Sequence, residues 1–112
     1  MEIIGLSVKE ELRMLKSYYH ATPFENLNSI FSKGILKGCD GVVYLTEKPE
    51  EAVRFIAIRG CKKILVIEVE VEDYLVTESF DHSQAFFKCR AYSYPHNISI
   101  DEFGDNVRTY EI

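Results

Sequence analysis

The sequence lacks an excess of basic charge, a long apolar run and any close pair of cysteines. Its 112 residues carry 13 Lys+Arg against 18 Asp+Glu, a formal net charge of −5. Gripping duplex nucleic acid by overall charge needs a basic surface, so that class is excluded, while a local basic pocket is not. The longest apolar run lies near Ile64 to Val71 and is interrupted by Glu68 and Glu70. Nothing approaches the roughly 20 apolar residues of a membrane-spanning helix, and no membrane association is expected. Cys39, Cys61 and Cys89 are far apart, which excludes a zinc ribbon or a thioredoxin-type Cys-x-x-Cys site. The odd cysteine count, with a start (Met1 to Gly5) too short and too acidic for a secretory signal, predicts reduced thiols and a cytoplasmic location. Internal repeats, low-complexity tracts, a Walker loop, G-x-G-x-x-G, H-E-x-x-H and G-x-S-x-G are also absent.

What remains is an ordinary globular mixture, 46% hydrophobic and 28% charged, expected to form one domain over residues 1–112 without disulfides or a structural metal. Three helices are predicted. The first runs from about Val8 to Lys16, with Ser7 and Glu10 spaced as a capping box and Val8, Leu12 and Leu15 on one stripe. The second has Thr22 as N-cap, Pro23 at the first helical position, Glu25 completing a capping box, and Leu27, Ile30 and Phe31 as its apolar stripe; Gly34 ends it as a left-handed residue. The third covers Pro49 to Arg59, with Glu50 and Glu51 at its positive end, Gly60 as its stop, and Ala52, Phe55, Ile56 and Ile58 as its buried face.

Strands are predicted elsewhere. Val42 to Leu45 follows the Gly38-Cys39-Asp40-Gly41 turn. Lys63 to Val71 alternates, with Leu65, Ile67, Val69 and Val71 facing the core. Tyr74 to Thr77, Arg90 to Tyr94 and Val107 to Ile112 complete the set. Helices come early, strands cluster late and no βαβ alternation appears, so the class is α+β with a mainly antiparallel or mixed sheet.

The histidines His20, His82 and His96 are not spaced as metal ligands, and Cys89 with His82 or His96 makes a poor nucleophile pair, better read as a structural thiol. More informative is an ordered series. Tyr18-Tyr19-His20-Ala21-Thr22 ends a strand directly before a capped helix and the Gly34-Ile35-Leu36 turn. Val42-Val43-Tyr44-Leu45-Thr46 follows, then a helix containing Ala52, then Ile64 to Val69. This order resembles the ADP-ribosyltransferase superfamily, most closely the rifampin ADP-ribosyltransferases and the tRNA 2′-phosphotransferases. Those families open their NAD site with Tyr-His-Gly-Thr; here Ala21 stands in the glycine position, while Tyr19, His20 and Thr22 match. Ile98-Ser99-Ile100 resembles, more loosely, the exit from the last core strand.

The resemblance implies an ADP-ribosyltransferase-like split sheet with flanking helices, NAD as the cofactor, and transfer of ADP-ribose to a protein, small-molecule or RNA acceptor. Cleaving NAD breaks an N-glycosidic bond through an oxocarbenium-like sugar, so the protein must hold ribose and nicotinamide in a fixed pose. His20 would anchor the ribose, Tyr44 would give nicotinamide a flat wall, Thr22 would fix the strand end, and the backbone of Tyr19 to Ala21 would pair with the carboxamide. The third element of the site is one of Glu78, Asp81, Gln84 or Arg90, with Arg90 suited to phosphate. Read structurally, Asp81 and Ser83 cap a turn, Phe86 and Phe87 are core, and Glu68, Glu70, Glu72 and Asp73 are solvated. Two other readings stand beside the enzyme. One is a catalytically degenerate nucleotide-binding or protein-interaction module of the same fold, the other an RNA 2′-phosphotransferase-like activity.

Overall fold

The computed structural model describes residues 15–79 and 91–112. Three long strands make the first sheet. β1 (Leu15–Pro23), β3 (Lys63–Glu72) and β6 (Phe103–Glu111) lie in the order β1-β3-β6. Three short strands make the second: β2 (Val43–Leu45), β4 (Thr77–Ser79) and β5 (Ala91–Tyr94), in the order β2-β5-β4. Every pairing among the described residues is antiparallel, so there, of the two sheet types left open by the sequence, the antiparallel one forms. Among the described residues two helices, α1 (Leu27–Lys33) and α2 (Pro49–Ala57), accompany them. The architecture is therefore α+β with two three-stranded antiparallel sheets.

β3 is the centre of the molecule, and its alternation explains why. Leu65, Ile67, Val69 and Val71 are all essentially inaccessible and pack with Tyr18, Ile30, Val43, Leu45, Tyr94 and Ile98, which joins the two sheets and α1. The opposite face is also covered at one end: Ile64 and Val66 are buried against Ala21, Ala52 and Ile56, under α2. Beyond them Glu68 departs from the expected solvation. It is half-buried, and its carboxylate accepts hydrogen bonds from the Asn106 backbone and side chain at 3.3 and 3.4 Å. It thereby fills the irregularity where the β3–β6 register shifts between Ile67 and Val69. Asp73 is likewise engaged, accepting a 2.6 Å hydrogen bond from the Tyr18 hydroxyl.

Several element boundaries differ from expectation. Leu15 and Lys16, expected to end the first helix, begin β1; the rest of that helix lies outside the described residues. Thr22 and Pro23 do not start α1. They finish β1, paired with Leu65 and Ile64, and a 3₁₀ turn, Phe24–Asn26, intervenes before the helix. The ladder to β3 outcompetes the local cap. Thr22 instead accepts a hydrogen bond at its hydroxyl from Asn26 Nδ2, 2.8 Å away. Ile58 is exposed, because α2 ends at Ala57 and the chain turns away before it. Residues 73–75 form a 3₁₀ turn, and the strand follows at Thr77.

Gly34 has φ 79°, and its N–H donates to the Ile30 carbonyl at 2.8 Å. A Cβ here would also collide with the Ile98 carbonyl oxygen. That close approach lets Ile35 and Ile98 exchange two 2.8 Å backbone hydrogen bonds, fastening the end of α1 to the segment before β6. Among the described residues no helix is long and apolar enough to cross a membrane.

Candidate functional site

Among the described residues, the two sheets share one backbone bridge. The Tyr19 N–H donates to the Thr46 carbonyl at 2.8 Å, and the Thr46 N–H donates to the Tyr19 carbonyl at 2.9 Å. Beyond this bridge β1 and β2 diverge, and a cleft of about 550 Å³ opens between them beside α2. Sites for small molecules commonly span ~300–1,000 Å³. Its lining includes Tyr19, His20, Ala21, Thr22 and Tyr44, the first five site residues expected from sequence.

His20 sits deep in the fold with one side of its ring on the cleft, so it is half-buried by surface area although densely surrounded. Its Nδ1 lies 3.0 Å from the Tyr44 carbonyl oxygen. A carbonyl only accepts, so Nδ1 carries the hydrogen and Nε2 is left as the acceptor nitrogen of the neutral ring. Burial pushes the imidazole below its ordinary pKa, against an opposing pull from the Tyr44 carbonyl. The ring is therefore neutral at pH 7, an acceptor rather than a charge.

Tyr44 is 45% exposed although it stands in a strand. Its hydroxyl donates to Asp40 Oδ2 at 2.6 Å. That hydrogen bond holds the Asp40 carboxyl below the usual carboxylate range. The phenol ring is thus held at both ends, by β2 at its Cα and by the 38–41 turn at its hydroxyl. Gly41, with φ 83°, closes that turn through a 3.0 Å hydrogen bond to the Gly38 carbonyl.

The main-chain expectation changes. Both backbone groups of Tyr19 are taken by Thr46, so they are not free to pair with a ligand. In an antiparallel ladder alternate residues turn their N–H and C=O to the same edge. Ala21, two residues on, therefore presents its peptide groups to the edge that the cleft occupies.

The third element is not assembled among the described residues. Glu78 lies on β4, opposite Tyr92 of β5, and is not part of the cleft lining. Asp81, Gln84 and Arg90 lie outside the described residues, as do His82, Phe86, Phe87 and Cys89. His96 packs its ring edge-on against Tyr94, with centroids 5.7 Å apart, away from the cleft. Among the described residues no group of three or more His, Cys, Asp or Glu is arranged to hold a metal.

Sequence reasoning missed Asn26 and Arg59, and it assigned Phe55 only to the core; all three line the cleft. A signal for two of them was present. Ala52, Phe55, Ile56 and Arg59 follow the i, i+3, i+4, i+7 spacing of one helix stripe, and the arginine ends an otherwise apolar series. No protein-family model matches the chain, and no curated protein matches it.

Proposed function

We propose that the cleft binds NAD or a related nucleotide and that the chain is an ADP-ribosyltransferase-like protein, with His20 anchoring the ribose and Tyr44 stacking on nicotinamide. One observation carries this reading: a neutral imidazole and a tethered, exposed phenol ring line one cleft at the seam of two antiparallel sheets. The donor set suits the ligand. His20 Nε2 accepts from a ribose hydroxyl, the Tyr44 ring offers a flat apolar wall, and the Ala21 peptide offers a donor and an acceptor to a carboxamide. Two separate three-stranded antiparallel sheets with a cleft at their seam support this reading. NAD supplies an activated N-glycosidic bond; the protein binds, orients and shields it. The acceptor of ADP-ribose is a protein side chain, a small molecule or an RNA phosphate.

A second reading is a nucleotide-binding module of the same fold without turnover. It is favoured by the absence of any carboxylate or glutamine from the cleft lining among the described residues. The test is thermal unfolding with NAD, followed by an assay for free nicotinamide. At tenfold excess over Kd the midpoint should rise by roughly 5 °C. His20→Ala and Tyr44→Ala should abolish the rise while still unfolding cooperatively. Nicotinamide release then identifies the enzyme, and binding without release identifies the module. An unchanged midpoint with NAD rejects both.

A further inference from the structure

Strand register orders the cleft from end to end. At Tyr19 the floor strand β1 is bridged to Thr46, beside Tyr44. At Pro23 it is paired with Ile64, one residue into β3, so this end lies against the 58–62 connection that leaves α2. Arg59 belongs to that connection and lines the cleft. Four residues at ~3.3 Å each separate the two ends by about 13 Å. One end thus offers an aromatic wall and a neutral acceptor, the other a guanidinium.

Arg59 is exposed and has no ion-pair partner among the described residues. It is also the one cationic side chain among the described lining residues, and no carboxylate shares the lining to neutralise it. Among the described lining residues, the other polar side chains at its end are Thr22 and Asn26, which hydrogen-bond to each other. A guanidinium at the rim of a concave site, with no carboxylate among the described lining residues, is a receptor for an anion, and its planar fork suits phosphate oxygens.

We propose that Arg59 holds a phosphate of the bound nucleotide, so that the cleft selects phosphorylated nucleotides over the corresponding nucleosides. This rests on the nucleotide-binding reading above and gives the site a direction: base and ribose toward Tyr44 and His20, phosphate toward Pro23 and the end of α2.

The experiment is calorimetric titration of the full chain with nicotinamide riboside, nicotinamide mononucleotide and NAD at low salt. The wild type should bind the mononucleotide about tenfold or more tightly than the riboside, the worth of one charge-assisted hydrogen-bonded pair. Arg59→Gln should lose that preference and keep riboside affinity within about twofold. Arg54→Gln, an exposed change on α2 outside the cleft lining, should leave both affinities alone. Equal wild-type affinity for riboside and mononucleotide, or an intact preference in Arg59→Gln, overturns the assignment of Arg59 while the cleft remains a nucleotide site. If none of the three compounds binds the wild type, the reading of the cleft and the inference built on it both fall.

Discussion

The two sheets are built on opposite terms. The first has strands of 9, 10 and 9 residues, and β1 pairs with β3 without interruption from Leu15–Glu72 to Pro23–Ile64. The second has strands of only 3, 3 and 4 residues. A three-residue strand cannot hold its own register. It is positioned instead by what it touches: Val43, Leu45 and Tyr94 enter the core beneath β3, and Thr46 bonds Tyr19. A polar relay also crosses the seam, with Lys16 and Tyr92 each donating to Glu47 at 2.9 Å. The long sheet is the platform and the short one is mounted on it. A cleft forms where a mounted element leaves the platform, because beyond the last shared hydrogen bond the two layers have no reason to stay in contact.

Three substitutions separate the platform from what it carries. The largest effect belongs to the platform. Ile67 is fully buried in the middle of β3, and Ile67→Ala should cost ~2–5 kcal/mol in urea unfolding, unfolding both sheets together. Loss of the second sheet alone, with the first retained, would show that the short strands do not depend on β3 in this way.

The seam should respond to pH. Burial lowers the folded-state pKa of His20 below its ordinary value of 6.5. The unfolded chain therefore takes up this proton first. The stability contributed is fully present above about pH 6.5 and is lost as pH falls toward the folded pKa, at no more than ~1.4 kcal/mol per pH unit. Unfolding at pH 7.5 and 5.5 should show this loss in the wild type and a shallower one in His20→Gln. A His20 ring that titrates by NMR at or above 6.5 would contradict the assignment of a neutral acceptor at the cleft.

The smallest effect belongs to the outer edge of the platform. Lys63 and Glu111 approach to 3.9 Å with both side chains largely in solvent. Glu111→Gln should change stability by less than ~0.5 kcal/mol, within reach of paired denaturant curves. A larger loss would mean that β6 contributes through its charges rather than its ladder.

How much of this was legible beforehand follows the same division. The alternation of β3 announces its core face, because period-two burial is written residue by residue. Even there only half was visible: Ile64 and Val66 are covered as well, since α2 folds over that end. In the site, His20 and Tyr44 were picked out through the resemblance of an ordered set of short motifs, and they share a lining. Thr22 and Pro23 misled because their local chemistry is that of a helix start, whereas nine paired residues of β1 hold them in the strand. Arg59 stayed hidden because an arginine just past a helix is usually a solvated end.

The class and the order of most elements were readable from the amino-acid chain, since these depend on periodicity and turn chemistry within a short span; two cleft-lining side chains, His20 and Tyr44, were reached through the order of short motifs. Tertiary structure alone decided that one bridge between residues 19 and 46 joins the sheets, that the peptide of Ala21 rather than Tyr19 is open, and that Arg59 closes the far end of the cleft. Those are matters of register between segments distant along the chain, and local pattern carries no information about which strand edge will find which.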